Sequence, residues 1–406
     1  MRKITEPARE IPVIFEKDVI VSGGGPGGLV AAIAASRMGA DTILIEQQGF
    51  LGGTATAGLM NSFNGYRNQN PPNDLQTVKG IAEEIVHELI RHGGAAEING
   101  PMPYKVAFDP EILKYVALKM CKEAGVQLLL YTYAVDVIVE DDTIKGVIVE
   151  NKSGRQAILS RIVIDATGDG DTAAAAGAPF EKVNKVGENM MGMSLLFRVG
   201  NVKDGGSVEQ PGVCYHRVSV DGYDGADGQD LTDAHVKTHE MMIEEVKKLK
   251  GRPGYENAFL VQSAEYIGVR ETRRIIGEYM VTEEDAVKDK RFEDVIAISS
   301  NPVPRYYGKR FFFEHEGFDI PYRSLVPKKI ENLLLAGRCI SCEQVPFQSA
   351  RSMAPLMAIS EAAGTAAGLA VKQGVTPRQL DVKLLQKVLL ENNNELRLNP
   401  NKAEEE

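Results

Sequence analysis

The sequence predicts an α/β protein, a doubly wound parallel sheet joined to a mixed α+β domain, and three observations carry that prediction. First, Lys17 to Ser22 is a short apolar strand that runs through a glycine-rich turn into LVAAIAASRMG, an Ala-rich buried helix, and Thr42 to Glu46 completes a βαβ unit. Second, the same texture returns from Ile330, with the strand-like NLLLAG and a small-residue helix from Met353 to Gln373. Third, residues 185–320 between them are mixed, with a Gly/Asp-rich loop, a charged helix from Ala234 to Lys250 and the strand-like FRVGNV. The α/β domain is therefore assigned to 1–60, 115–184 and 321–406, and a substrate or cap domain to 61–114 and 185–320.

The remaining elements follow in order. Past a polar stretch, Asn61 to Asp74, helical periodicity marks Lys79 to His92 and Pro110 to Ala124. From Val126 to Ile164, short β-rich runs separated by DD and SGR turn signals predict a strand-rich insertion that returns to the main sheet. From Asn392 onward the chain is polar and is expected to fray.

Composition narrows the function classes. With 43% hydrophobic residues over 406 positions the chain is globular and can bury a large core. A net charge of -10 opposes nucleic acid as a partner, because that binding draws its affinity from basic groups that displace counterions. The polar opening MRKITEPARE precedes no apolar signal segment, and no unbroken apolar run is long enough for a membrane span, so the expected compartment is the cytoplasm. Four cysteines do not make a disulfide framework.

The chemistry begins at the glycine turn. Gly23, Gly25 and Gly28 form G-x-G-x-x-G between a strand and a helix, with Pro26 and Gly27 inside it, and Glu46 follows 18 residues after Gly28. A dinucleotide needs that spacing: Gly23 for the tight turn, Gly25 for backbone approach to the pyrophosphate, Gly28 for close helix packing. The helix N-terminus then presents unpaired N–H groups and a partial positive charge to the phosphates. Glu46 suits ribose hydroxyls and opposes a 2′-phosphate. A functionless glycine turn is the bland alternative, which the strand, helix and acid in place all oppose. Three further segments add backbone approaches: LGGTATAG from Leu51, IVIDATGDGD from Ile162 and LLLAGRCIS from Leu333.

Together with MGMSLLFRVG, VRETRRIIGEY, FDIPYRSLVP and EAAGTAAGLA, these segments resemble the FAD-dependent oxidoreductase family, relatives of glutathione-reductase-type and fumarate-reductase-type flavoproteins, and most closely its bacterial branch. The resemblance runs from about Glu16 to Gln373 and implies a Rossmann-like domain with bound FAD. Carried over by position, it places Gly23 to Gly28 at the pyrophosphate, Glu46 and Gln47 at the adenosine ribose, and Gly52, Gly53 and Thr54 on the approach to the flavin. Ala134 and Val135 would flank the adenine, Thr167, Gly168 and Asp169 the adenosine half or diphosphate, and Gly337 and Arg338 the ribityl chain. The helix from Met353 would aim its positive end at the flavin pyrimidine.

On the substrate side, Arg351 and Arg323 can hold a carboxylate in bidentate fashion, with a structural ion pair as the alternative, and Tyr322 and His315 are candidate acids or bases. VRETRR brings Arg270, Glu271, Arg273 and Arg274 together, most simply as a structural charge network, with a substrate or flavin role as the alternative. Cys339 and Cys342 form C-x-x-C, which raises a flavin-linked dithiol reductase as an alternative, while disulfide reductases carry that pair in the N-terminal half, where LGGTATAG has no cysteine. No metal site is expected, since neither Cys121 nor Cys214 offers a second pair. The expected activity is two-electron transfer between flavin and a small-molecule substrate, with an external electron acceptor. A non-turning-over FAD subunit of a larger complex is the other alternative, and a homo-oligomer is left open.

Overall fold

The computed structural model describes residues 2–69, 75–182, 191–206 and 210–398. Its centre is a seven-stranded sheet of β1 (Val13–Ser22), β2 (Thr42–Ile45), β3 (Gln127–Leu129), β4 (Tyr133–Glu140), β5 (Thr143–Asn151), β6 (Gly154–Asp165) and β7 (Leu333–Leu335). β1 runs parallel to β2 on one side and β6 on the other; β3 continues beyond β2, and β7 pairs with the last residues of β6. Val19–Val21, Ile43–Ile45, Ile162–Ile164 and Leu333–Leu335 are all buried, the unbroken apolar runs of a parallel sheet covered on both faces.

β4, β5 and β6 form an antiparallel meander, with β5 on the first half of β6 and β7 taking its place along the second half. The strand-rich insertion therefore rejoins the main sheet through β6, as its turn signals predict.

Two helices set the position of the site. α1 (Pro26–Arg37) crosses α2 (Met353–Gln373) at backbone contact: a Cβ at Gly364 would lie 2.1 Å from the Ala31 carbonyl oxygen, and one at Gly368 3.1 Å from that of Ala35. Small residues on both helices permit this approach, which explains the Ala/Gly-rich texture of each. By length and hydropathy α2 is able to cross a membrane, yet 94% of that window lies inside the protein, as a core helix does.

The helix at Pro110–Ala124 has the predicted limits, with Asp109 accepting the Glu111 N–H at 2.8 Å and Gly125 ending it at φ +84°. Residues 61–114 contribute Phe63, Tyr66, Ile85, Leu89 and Phe108 to the same core as the sheet, and Val295–Ser299 with Phe318–Pro321 does likewise. A second core is narrower than 185–320. It is a three-stranded antiparallel sheet of Met193–Gly200, Cys214–Val220 and Phe259–Ser263, under the helix Gly228–Leu249, closed by Leu195, Phe197, Val199, Met242 and Leu249. That helix starts before the expected Ala234, because Asp227 caps the N–H groups of Gln229 and Asp230.

The polar tail is a correction. Residues 399–406 lie outside the described residues, but Asn394 donates to Glu361 at 2.7 Å and Arg397 pairs with both Asp289 and Asp319 at 2.7 Å. Buried partners fasten a segment that composition alone marks as frayed.

Candidate functional site

At the end of β1 the backbone itself makes the cradle. Gly23 turns with φ +104°, where a Cβ would lie 2.6 Å from the Ala166 carbonyl oxygen, and a Cβ on Gly28 would lie 1.7 Å from that of Gly23. At Gly25 a Cβ would meet nothing within 4 Å, so the space in front of α1 is open. Gly25 caps α1 without a side-chain bond and Pro26 occupies the first turn, which leaves uncapped N–H groups of the first turn toward that space. Gly27 packs under Ser360 of α2 and against Gly337.

Glu46 stands beside this turn, 7% exposed, and accepts the N–H groups of Gly24 and Gln48 at 2.8 Å each. Burial raises its carboxyl above the ordinary range, against those bonds and one from Gln47. Each oxygen keeps a lone pair for a ribose hydroxyl. The Gly52 N–H donates to the Gly24 oxygen at 2.8 Å, and a Cβ on Gly53 would lie 2.8 Å from Gly25 Cα, so the Gly52-Gly53-Thr54 loop rests on the glycine turn. The Thr132 N–H donates to the Glu46 carbonyl oxygen at 3.0 Å, which brings the start of β4 alongside; there Ala134 faces Val149, and Val135 sits at the register shift.

The ends of β6 and β7 close the far side. Asp165 is fully buried; desolvation pushes its carboxyl up to about 6, opposed by bonds from the Ala173 N–H and from Thr167. It fixes the loop that carries Thr167, Gly168 at φ +82° and Asp169. Asp169 accepts Arg338 Nη2 and Thr272 Oγ1, each at 2.7 Å, and so ties the two strand ends together next to Gly337. Met353 opens α2 behind Ser352, a cap without a side-chain bond.

The three predicted catalytic side chains separate here. Tyr322 is buried and its hydroxyl donates to the Pro377 carbonyl at 2.8 Å; burial raises its pKa far above the phenol range. Arg323, half exposed, donates to Asp294 from Nε at 2.9 Å and Nη2 at 3.1 Å, which raises its pKa. Both line a pocket with Glu278, Asp294 and Arg378 instead of the cradle, so Tyr322 and Arg323 are corrected to structural partners. Arg351 is different. Its Nε is buried with no hydrogen-bond partner, and burial together with Arg270 and Arg338 pushes it down to about 9.

The other candidates resolve similarly. His315 Nδ1 lies 2.6 Å from the Gly317 oxygen and 3.5 Å from Asp289, a local packing role. In VRETRR, Glu271 accepts Arg274 at 2.8 Å and Arg273 pairs with Asp171 at 2.7 Å, while Arg270 has no such partner among the described residues. Cys339 and Cys342 are free and fully buried, and burial raises both thiols, which disfavours the thiolate that dithiol exchange requires.

Tyr266 is a group that sequence reasoning missed. It comes from the smaller sheet's side, and its hydroxyl lies 3.4 Å from where a Gly53 Cβ would be. Burial raises its pKa, and Glu46, Arg338 and Asp169 act on it. No motif marks it. Asp165 did carry a signal, as a lone acid ending an apolar strand.

A glycine turn, a buried acid at the end of β2 and three loops converging at the carboxyl ends of parallel strands define a dinucleotide-binding α/β protein. The model of the FAD dependent oxidoreductase family matches residues 18–221 and 207–389, and the chain belongs to that family. By that membership FAD is its cofactor and it is an FAD-dependent oxidoreductase. It is similar to thiamine thiazole synthase of Aeropyrum pernix, 33% identical over 173 residues, 38% of this chain and 55% of that one. It also resembles digeranylgeranylglycerophospholipid reductase 2 of Methanopyrus kandleri, 30% identical over 155 residues, 38% of each chain. The chain thus spans about half or less of these relatives' lengths. Among solved structures, p-nitrophenol 4-monooxygenase of Pseudomonas putida superposes with a TM-score of 0.53 at 12% identity, covering 93% of this chain and 85% of that one, a likeness of fold.

Proposed function

We propose that this flavoprotein transfers two electrons, as a hydride, between FAD and a small organic substrate admitted beside the N-terminus of α2. The observation that carries the reading is the open space in front of Gly25 at the start of α1, with Gly337 and Ser360 of α2 packed against the adjoining Gly27. Bound FAD supplies the redox chemistry.

The chain's own groups do the rest. The first-turn N–H groups of α1, with Gly23, Gly25, Pro26, Gly27 and Gly28, would hold the pyrophosphate; Glu46, flanked by Gln47, would hold the ribose. Gly52, Gly53 and Thr54 would line the approach to the flavin. Ala134 and Val135 would flank the adenine, Thr167, Gly168 and Asp169 the diphosphate side, and Gly337 and Arg338 the ribityl chain. The positive end of α2 at Met353 favours negative charge in front of it. We take the electron acceptor to be an external carrier or oxygen, because the sequence has no second nucleotide fingerprint.

The test is the visible spectrum of the purified protein before and after heat release of its cofactor, followed by anaerobic mixing with small alcohols, amines and enoates. Released FAD, and bleaching of the flavin bands by a panel member, is the expected result. A flavin that no organic reductant bleaches, and whose reduced form no enoate reoxidises, would sink the hydride-transfer reading. The double variant Cys339→Ser/Cys342→Ser is expected to keep turnover within about twofold, since buried small side chains and not a redox pair are replaced; abolished turnover would restore the dithiol alternative.

A further inference from the structure

We propose that the substrate carries a carboxylate, held between the guanidinium groups of Arg270 and Arg351; this rests on the oxidoreductase reading above and adds the substrate class.

The two arginines come from distant segments and meet over consecutive residues. Arg351 leaves the chain directly before Ser352, the cap of α2, and its Nη2 lies 3.5 Å from Met191 Sδ. Arg270 donates to the carbonyl of the next residue, Gly192, and to Ser194 Oγ at 2.6 Å. A thioether is a weak acceptor, and neither a carbonyl nor a hydroxyl carries the charge a guanidinium requires.

No carboxylate within the described residues completes an ion pair with either group. Glu271, the buried acid nearby, is already taken by Arg274 at 2.8 Å, with the Gln344 amide at 3.5 Å. Asp221 acts on Arg270 more weakly than burial, Arg217 and Arg305 do, and the exposed Arg217 and Arg305 add positive charge. On the other side Arg338, itself paired with Asp169 at 2.7 Å, acts on Arg351, and Glu271 acts on Arg351 in the opposite sense without reaching it as an ion pair.

The same molecule shows how it treats arginines that serve structure alone. Arg397 pairs with Asp289, Glu316 and Asp319, and Arg378 with Glu278 and Glu331. Buried charge without a partner is costly, so two neighbouring arginines without a carboxylate partner favour an anion that arrives from outside. Planar, forked donors match a planar carboxylate in bidentate fashion. Burial, with Arg217 and Arg305, lowers Arg270 to about 10, and burial, with Arg270 and Arg338, lowers Arg351 to about 9; an anion between them would reverse that.

The experiment measures equilibrium binding to the FAD-loaded protein, by calorimetry and by perturbation of the flavin bands, for succinate and benzoate against succinamide and benzamide. It requires no turnover. Acids are expected to bind and amides not to. Arg351→Gln and Arg270→Gln should each weaken acid binding about 10- to 100-fold with flavin content retained, the loss expected for a charge-assisted bond. Arg351→Lys and Arg270→Lys, which keep the charge, should fall between and serve where a glutamine variant fails to fold. Equal binding of acids and amides would overturn the proposal, as would unchanged acid affinity in folded, FAD-replete glutamine variants, tighter binding of inorganic phosphate than of any acid, or loss of FAD by Arg351→Gln with acid affinity intact in the holo fraction. Acid binding that persists when no panel compound exchanges electrons with the flavin would support this site and remove only the redox reading.

Discussion

Gly23, Gly25 and Gly28 lie within six residues and act through the absence of side chains, whereas Arg270 and Arg351 lie 81 residues apart and act through the tips of long ones. At the first site the backbone is the binding surface, and a Cβ has either no room, as at Gly28, or room only in front of the helix, as at Gly25. At the second, the backbone serves only to aim charge. A site built from main chain is local and leaves a contiguous motif; a site built from side chains can be gathered from anywhere. The first therefore leaves its cofactor class legible in the sequence, whereas the second offers Arg351 as one carboxylate-holding candidate among several and hides its pairing with Arg270 until the fold is known.

The largest expected effect separates the two kinds of glycine. Gly28→Ala places a Cβ 1.7 Å from a backbone oxygen that cannot rotate away. It should destabilise the protein by about 3 kcal/mol or more, the upper range for overpacking, and abolish flavin retention. Gly25→Ala meets no protein atom. The apo-protein should melt as wild type does while FAD affinity falls on the order of tenfold or more, because the methyl group enters the space that the phosphates need. Melting curves and flavin content check both. An unchanged melting temperature in Gly28→Ala would break the comparison.

A smaller effect concerns how the core is fastened behind α2. Glu361 is 1% exposed and accepts the Ile81 N–H at 2.8 Å and Asn394 Nδ2 at 2.7 Å. Burial pushes its carboxyl up to about 7, against those bonds. Its folded pKa is above the ordinary value, so the stability it contributes is fully present below about pH 4.5 and is lost as pH rises through about 7. Between pH 5 and 8 the wild type should lose roughly 2.5 kcal/mol relative to Glu361→Gln, whose amide does not titrate. Denaturant midpoints at the two pH values measure it, and parallel pH profiles for the two proteins would remove Glu361 as the cause.

The contrast between main-chain and side-chain sites also explains what was legible. The βαβ unit, the helix at Pro110–Ala124 and the meander through β6 follow from periodicity, capping and turn residues, all of them local. The position of Glu46 beside the glycine turn is legible because one helix and one strand fix its distance from it. That of Tyr266 is not, because nothing near it in sequence indicates that the smaller sheet leans its loop over Gly53. The tail failed for the same reason: Arg397 is ordered by Asp289 and Asp319, acids more than 75 residues earlier. Tyr322 and Arg323 failed in the opposite sense, since IPYR has residue types suited to catalysis while the fold turns both toward structural partners.

That last point supplies the finest test, because Tyr322 and Arg323 are reactive types without a reactive place. Tyr322→Phe removes one hydroxyl and leaves the Pro377 carbonyl without its donor in a buried setting. The expected cost is about 1 kcal/mol, that of a single buried hydrogen bond, with turnover unchanged. Arg323→Ala removes an ion pair to Asp294 whose arginine is 50% exposed, and a contact with the Tyr279 ring at 5.1 Å. Water screens most of that attraction, so stability should fall by less than about 1 kcal/mol and less in high salt. Asp294→Asn should lose about as much, and the double variant no more than either alone, since the pair has one shared contribution. Stability comes from denaturant melts, and turnover from the substrate that bleaches the flavin. A tenfold fall in turnover for Arg323→Ala, with stability intact, would place the guanidinium at the reaction after all and move the substrate to the pocket it shares with Tyr322.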